Sequence, residues 1–168
     1  MNLEAVEIKD KSLFRVEESF RTDIDLVELI DDIFRERLSA FGWEEEAINL
    51  GVGFHEALVN AVAHGNMGIE KPKDSTEDIG IIAKRVQGEH PELAKKKVFI
   101  TTEISEKRVR VVIRDEGQGF EPKKVADPTS EEGLFKAEGR GLLFMRSYFD
   151  TVTYNKKRRE VELIKERK

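Results

Sequence analysis

Two runs in which apolar and polar residues alternate constrain the fold of this chain most. They span residues 97–105 (KVFITTEIS) and 108–116 (RVRVVIRDE), and only Glu106 and Lys107 separate them. Because side chains alternate between the two faces of a strand, each run can bury one face and expose the other. A two-residue connection predicts an antiparallel hairpin, whose apolar face must be covered by another layer.

A strand and two helices are predicted before this hairpin. Residues 12–20 alternate as a strand, and the apolar residues that follow recur at helical spacing. Asp23 or Asp25 could cap that helix, and Gly42 is a suitable end for it. A second helix is predicted from Glu44 onward. Four aromatic residues of this half are expected in the core rather than on a partner surface, namely Phe14, Phe20, Phe41 and Trp43.

The remaining elements complete an α+β order. Residues 67–97 have a weak pattern that predicts one short helix before Gly88 and Pro91. The stretch GRGLLFMRSYFD predicts a turn that leads into a helix, and a second hairpin ends the sequence. The order predicts one domain over residues 1–168. The predicted fold is α+β, a two-layer α/β sandwich with a mixed, mostly antiparallel sheet covered on one face by helices.

Composition excludes several classes of site and partner. With 29 basic and 34 acidic residues, the net charge is −5, so nucleic acid is not an expected partner. The absence of cysteine excludes disulfides, thiolate metal sites and a cysteine nucleophile. The N-terminal residues have no apolar segment typical of a secretion signal, and no stretch has the length of a membrane span. We therefore expect a cytoplasmic protein with no membrane partner.

The stretch FHEALVNAVAHGN, residues 54–66, is the first of three motifs. Glu56, Asn60 and His64 lie four residues apart, which would place them on one face of a helix. Such a ridge is often only a solvent-exposed face. However, residues 51–65 contain no lysine or arginine, which is typical of a helix that is mostly covered. A carboxylate beside an amide oxygen also suits Mg²⁺, which prefers oxygen ligands.

The second motif is RDEGQGF, which places Asp115 at the end of a predicted strand. Gly117 and Gly119 follow, and glycines allow the backbone to approach a ligand closely. An ordinary strand-to-loop turn has the same pattern. Asp115 at such a place can also accept a hydrogen bond from an exocyclic amine, such as that of adenine.

The third motif is EGRGLLFM, in which Gly139 and Gly141 begin a predicted helix. The free amides and the dipole at a helix N-terminus can bind phosphate, although a loop that enters a core helix has the same pattern. In this order, the three motifs supply a metal and base site, an adenine contact and a phosphate contact. The polar residues 121–138 between the second and third motifs would then form a mobile lid.

EALVNAVAHGN, RDEGQGF and GRGLLFMRSYFD resemble the N box and the two glycine boxes of the Bergerat-fold ATPases, the superfamily of gyrase, histidine kinases and mismatch-repair ATPases. The anti-sigma-factor serine/threonine kinases are the most similar branch. The resemblance implies ATP and Mg²⁺ as cofactors, with Glu56 as the general base and Asn60 as the Mg²⁺ ligand. It assigns nucleotide contacts to Asn60, His64, Asp115, Gly117, Gly119, Lys136, Gly139, Arg140, Gly141 and Leu142.

The sequence departs from this family pattern at three places. Ala137 occupies a position that is often basic, which leaves Lys136 or Arg140 as the candidates for a γ-phosphate contact. Arg158 and Arg159 stand where the final hairpin usually has a glycine followed by threonine or asparagine, so that turn must be built differently. Residues 67–97 form a longer segment than in the simplest members and are a candidate partner surface.

Three functions follow from the resemblance. The first is a kinase that phosphorylates serine or threonine on a small anti-anti-sigma-like protein domain, with a sigma factor as a further partner and a homodimer as an allowed state. The second is an ATP-dependent protein-binding switch without catalysis, which Ala137 favours. The third, an orphan histidine-kinase catalytic domain, would need an acceptor histidine upstream, where the residues are already used by a strand and a helix.

Overall fold

The computed structural model describes residues 8–10, 13–70, 75–117 and 137–168. Within them, six strands form one sheet in the order β1-β2-β3-β4-β6-β5, and every pair is antiparallel. The strands are β1 (Ile8–Asp10), β2 (Leu13–Arg21), β3 (Lys97–Ser105), β4 (Arg108–Arg114), β5 (Thr151–Asn155) and β6 (Glu160–Glu166). The predicted α+β sandwich is confirmed, but the described sheet is antiparallel throughout rather than mixed.

Four helices cover one face of the sheet. They are α1 (Val27–Ala40), α2 (Ala47–Val59), α3 (Ile79–Glu89) and α4 (Ala137–Tyr148). A short 3₁₀ turn, Ile24–Leu26, precedes α1, and another, Pro91–Lys95, precedes β3. The side chains that alternate toward the helices on β2, β3, β4 and β6 are buried and form one hydrophobic core with them. This face of the sheet therefore agrees with the alternation in the sequence.

The opposite face of the sheet is polar and carries a row of ion pairs. Glu103 on β3 pairs with Arg15 at 3.4 Å and with Arg110 at 3.4 Å, and Arg110 pairs with Glu162 at 2.7 Å. Because these side chains alternate with buried ones along their strands, the sheet has one face for the core and one for solvent. No described helix covers this second face, which confirms the predicted two layers.

The predicted ends of the first helical segment are confirmed, although the Asp23 cap lies on the 3₁₀ turn and α1 itself has no side-chain cap. The Asp23 carboxylate accepts a hydrogen bond from the backbone N–H of Asp25 at 3.0 Å, at the start of the 3₁₀ turn. After the helix, Gly42 has φ of +86°, and the Trp43 N–H donates to the Leu38 carbonyl at 2.8 Å. A glycine in this left-handed conformation is a common way to end a helix.

The four predicted core aromatic residues separate into three buried rings and one exposed ring. Phe14, Phe20 and Trp43 are buried, and the Trp43 indole N–H donates to the Ser105 carbonyl at 2.7 Å. Phe41 is 40% exposed and lies on Phe14, with 4.8 Å between the ring centroids. The core prediction is therefore wrong for Phe41, which covers the edge of the core from the turn that follows α1.

The segment between α2 and β3 is more helical than its weak pattern indicated. Helix α3 begins after Asp78, whose carboxylate accepts from the Gly80 N–H at 2.8 Å, and it runs through Gly88. The predicted helix is confirmed, but it ends at Glu89 rather than before Gly88. The hairpin of β3 and β4 has the predicted two-residue connection, with Ile104 opposite Val109.

Candidate functional site

Asp115 is the first residue after β4 and is almost completely buried. Its Oδ1 accepts a hydrogen bond from the Gly117 N–H at 2.8 Å, and its own N–H donates to the Arg159 carbonyl at 3.1 Å. Burial raises the pKa of the Asp115 carboxyl, while the Gly117 hydrogen bond and the charges of Arg159 and Lys96 oppose that rise. The second motif therefore places a desolvated carboxyl at the end of a strand.

A turn of π-helix follows α2 and packs directly against Asp115. It spans Asn60–Asn66, and the Met67 N–H donates to the Val62 carbonyl at 3.0 Å, five residues earlier. A Cβ on Gly65 would lie 2.6 Å from Cγ of Asp115, so only glycine leaves room for the carboxyl. π-Turns are rare, and they are frequent at functional sites.

The close approach continues at Gly117. A Cβ on Gly117 would lie 2.0 Å from the backbone oxygen of Gly65, a distance that real atoms do not reach. Because the obstacle is backbone, a side chain could be admitted only by moving the loop away from the helix. Gly65 and Gly117 together therefore fix the position of the Asp115 carboxyl.

Asn66 connects the π-turn to residues at the ends of β2, β3 and β4, a role that its sequence context did not predict. Its Oδ1 accepts from the Glu116 N–H at 2.7 Å, and its Nδ2 donates to the Thr22 hydroxyl at 2.9 Å and the Lys97 carbonyl at 3.1 Å. Its side chain is buried, so these bonds satisfy polar groups that water cannot reach. The only sequence signal was the Gly-Asn pair that ends the helix.

His64 lies in the π-turn, beyond the end of α2. Asn60 still follows α-helical geometry, because its N–H donates to the Glu56 carbonyl, four residues earlier. In the π-turn that follows, the hydrogen bonds span five residues instead of four. His64 Nδ1 lies 2.7 Å from the Ile69 carbonyl and anchors the chain that leaves the helix. Glu56 and Asn60 are one helical turn apart at the end of α2, as their spacing predicts, and the nucleotide contact of His64 stays a prediction.

A narrow cleft opens between the end of α2, the end of β4 and the β5–β6 hairpin. Its lining includes Asn60, Ala61, Ile113, Asp115, Tyr154 and Arg159. Burial raises the pKa of the Tyr154 phenol to about 12, and a hydrogen bond with Asn60 acts in the opposite direction. Tyr154 thus lies beside the Asn60 side chain in the lining of the cleft. Alternation along the last hairpin was the signal that could have revealed this tyrosine.

Glu56 lies one turn before Asn60, where α2 crosses α4. A Cβ on Gly141 would lie 2.9 Å from Glu56 Oε2, and a Cβ on Gly53 would lie 2.9 Å from the Phe149 ring. Glycines at both positions therefore allow close packing of the two helices with the Glu56 carboxyl between them. Burial raises the pKa of that carboxyl, the charge of His55 lowers it and Asp31 raises it further.

The third motif lies within α4 rather than before it. The helix begins at Ala137, so Gly139 is in its first turn and Gly141 follows that turn. The predicted lid therefore ends before Ala137, not at Glu138. Leu142 is buried. Most of the lid, Gly119 and Lys136 lie outside the described residues, as do the side chains of Glu138 and Arg140.

The β5–β6 turn has an unusual backbone at Arg159. Its φ is +55°, and it is the only non-glycine residue with positive φ among those described. The left-handed conformation is the one that glycine adopts at little cost, and other residues at a cost of about 1–2 kcal/mol. The turn is thus built with arginine in a glycine-type conformation, and its carbonyl still contacts Asp115.

Arg159→Gly should unfold at a higher temperature than the matched variant Arg158→Gly. Both changes remove one exposed arginine, but only residue 159 has positive φ, so only that variant relieves backbone strain. We expect the free energies of unfolding to differ by about 1 kcal/mol in favour of Arg159→Gly. Urea denaturation of the two variants measures this difference. Equal stabilities would show that the arginine conformation costs nothing.

The residues present fit a magnesium ion that is held mainly by a bound nucleotide. Glu56 and Asn60 offer a carboxylate and an amide oxygen on one side of α2, and both are only partly exposed. No group of three metal-binding side chains occurs within the described ranges. Mg²⁺ commonly uses one or two protein ligands and completes its shell with phosphates and water. Asn60, with Glu56 beside it, is therefore a suitable protein ligand.

Comparison with protein families places this arrangement in a known group. Residues 20–165 match the family described as the histidine kinase-like ATPase domain, which is most of the 168-residue chain. The chain belongs to this ATPase family. Membership implies an ATP-binding domain and, more broadly, ATP-dependent phosphotransfer chemistry. A search of curated proteins gave no match.

Across the described part of this ATPase domain, no helix is both long and apolar enough to cross a membrane.

Proposed function

We propose that this ATPase domain is a Mg-ATP-dependent serine/threonine kinase of the anti-sigma-factor type. Its substrate would be a small anti-anti-sigma-like protein domain, and a sigma factor would be a second partner. One observation carries the proposal: α2 and its π-turn bring Asn60 to the cleft that Asp115 lines, with Glu56 one helical turn before Asn60.

In the proposed reaction, Asp115 accepts a hydrogen bond from the adenine amine, which sets the position of the nucleotide. The serine hydroxyl oxygen attacks the γ-phosphorus, the bond from that phosphorus to the β–γ bridging oxygen breaks, and ADP leaves. Glu56 accepts the hydroxyl proton. A carboxylate whose pKa is raised by burial is a better proton acceptor than an exposed one. Bound Mg²⁺ would neutralise charge on the phosphates.

The second candidate is a switch that binds a partner in its ATP state without phosphorylating it. It is favoured by Ala137, the first residue of α4, where related kinases often have a basic residue. The two candidates share the ATP site and differ only in transfer. Radiolabelled γ-phosphate on a co-purified anti-anti-sigma-like domain supports the kinase. ATP-dependent complex formation without label supports the switch.

Asp115→Asn should remove most ATP binding. The amide would present an N–H donor to an amine that is itself a donor, and a mismatched buried pair costs about 1–3 kcal/mol, or about 5- to 150-fold in affinity. Titration calorimetry with ATP, with and without Mg²⁺, measures the loss. We expect binding of the wild type to be strengthened by Mg²⁺.

A stability measurement on the same variant separates lost binding from lost folding. The folded-state pKa of Asp115 is raised by burial, so its ionised form lowers the free energy of unfolding above that pKa. Asn carries no such charge and keeps an oxygen that can accept from the Gly117 N–H. Asp115→Asn should therefore be at least as stable as the wild type at neutral pH. Wild-type ATP affinity in a folded variant would remove Asp115 from the adenine site.

A further inference from the structure

A second concave surface lies on the opposite side of α2, between α1 and the start of α3. It consists of two adjoining hollows, both lined by Glu28 and His55. We call this surface the α1–α3 groove. Its polar and charged lining residues are Asp25, Glu28, Asp31, Asp32, Arg35, His55, Asp78 and Lys84. None of the residues that line the ATP cleft lines this groove.

The groove is acidic. Its lining contains five carboxylates and two permanent cations. Each of the two cations already forms an ion pair with one of these carboxylates. Lys84 lies 3.5 Å from Asp25, and Arg35 lies 3.6 Å from Asp32. Among the described residues, no cation lies within ion-pair distance of Glu28, which is exposed. The surplus of negative charge suits a cationic ligand.

Asp31 adds an unused hydrogen-bond acceptor to the wall of the groove. Its side chain is only 5% exposed, and its Oδ2 lies 2.5 Å from His55 Nδ1. Its Oδ1 is buried and has no hydrogen-bond partner within the described structure. Buried carboxylate oxygens are normally paired, because an unpaired one loses its hydration without compensation. Asp31 thus adds a carboxylate with one unpaired oxygen behind the surface of the groove, which favours a cationic ligand there.

Apolar side chains flank the acidic residues. Ile81 lines the groove and is 61% exposed. On α2, Ile48 is 73% exposed and precedes Val52, which lines the second hollow, by one helical turn. Large exposed isoleucines beside a concave surface are typical of a protein-binding site rather than of a small-ion site.

We propose that the α1–α3 groove binds a segment of the substrate protein that carries arginine or lysine between apolar residues. An arginine or lysine of the segment lies beside Glu28 and Asp32, and the apolar residues cover Ile81. This inference rests on the proposed kinase function. His55 borders the groove and Glu56 is the next residue of α2, so docking there holds the substrate near the proposed base.

A designed peptide tests the groove without knowledge of the partner. The probe is an acetylated, amidated peptide in which Arg-Lys pairs alternate with Leu-Ile pairs; a second peptide has glutamate at every basic position. Fluorescence anisotropy gives the affinities, and backbone amide resonances of the whole chain locate the contact. We expect the basic peptide to bind, with the largest shifts near Glu28, His55 and Ile81, and affinity to fall with added salt.

Charge reversal supplies the matched variants. Glu28→Lys combined with Asp32→Lys should weaken binding of the basic peptide about tenfold, since each lost contact is worth up to about 1 kcal/mol. Glu89→Lys combined with Glu106→Lys makes the same change in net charge at exposed positions outside the groove and should leave the affinity unchanged. Thermal unfolding confirms that each variant is folded.

Three results would overturn the inference: equal loss in both double variants, shifts located elsewhere, or no preference for the basic peptide. Because the readout is peptide binding, it is independent of ATP. Peptide binding in a protein that fails to bind ATP would refute the proposed kinase and leave the groove as a docking surface. Intact phosphotransfer with no peptide binding would refute the groove alone.

Discussion

Glu56→Gln should abolish transfer of the γ-phosphate to the partner while ATP binding is retained. Glutamine has nearly the same shape but cannot accept the hydroxyl proton, and loss of a general base typically costs about 10²- to 10⁴-fold in rate. Glu56 Oε2 lies against α4 at Gly141, so the glutamine can keep the packing. Transfer of radiolabelled phosphate to an anti-anti-sigma-like domain measures the rate, and calorimetry measures the ATP affinity.

Glu36→Gln is a matched control for this change, because Glu36 is an exposed residue of α1. It should leave both transfer and ATP binding unchanged. Burial raises the pKa of Glu56, so its ionised form costs stability at neutral pH, and the glutamine variant should not unfold more easily. A transfer rate equal to that of the wild type would exclude Glu56 as the base.

Gly117→Ala should eliminate ATP binding through a purely geometric effect. The new methyl would stand 2.0 Å from the Gly65 carbonyl oxygen, so the loop that carries Asp115 must move away from the π-turn. Forcing extra atoms into a packed region typically costs about 1–3 kcal/mol. The displacement also removes the Asp115 carboxyl from its place in the cleft. We expect a lower unfolding temperature and no measurable ATP binding by calorimetry.

Gly88→Ala is the matched control, because nothing lies within 4 Å of a Cβ at that position in α3. Alanine is favoured over glycine in a helix by about 1 kcal/mol, so this variant should be slightly more stable than the wild type and bind ATP normally. If Gly117→Ala also bound ATP normally, the contact between the Gly117 loop and Gly65 would not be needed for the site.

Local patterns were sufficient for most elements of the fold. Alternation predicted β2 and the β3–β4 hairpin, and the cap at Asp23 and the glycine at residue 42 predicted the ends of the first helical segment. These features depend on neighbours within a few residues, so the sequence contains them directly. The prediction that Phe41 is buried was wrong, because the burial of a single side chain depends on which residues pack against it in the tertiary structure.

The site was only partly accessible from the sequence. Asp115 at a strand end and the spacing of Glu56 and Asn60 were readable, because each depends on one element. The π-turn was not readable, since nothing in NAVAHGN distinguishes five-residue from four-residue hydrogen bonding, and the contact of His64 with the Ile69 carbonyl was not readable either. The roles of Asn66 and Tyr154 also depend on contacts between distant segments.

The sequence by itself determined the α+β order, the one-sided sheet and the three motifs that resemble an ATP site. Periodicity and turn chemistry act over a few residues, and a motif is a local string. Only the tertiary structure decided that Gly65 and Gly117 meet at Asp115, that Arg159 takes a glycine-type conformation, and that an acidic groove lies on the other side of α2. Those features arise where segments far apart in the chain pack together, and packing distances of a few ångströms leave no local signature.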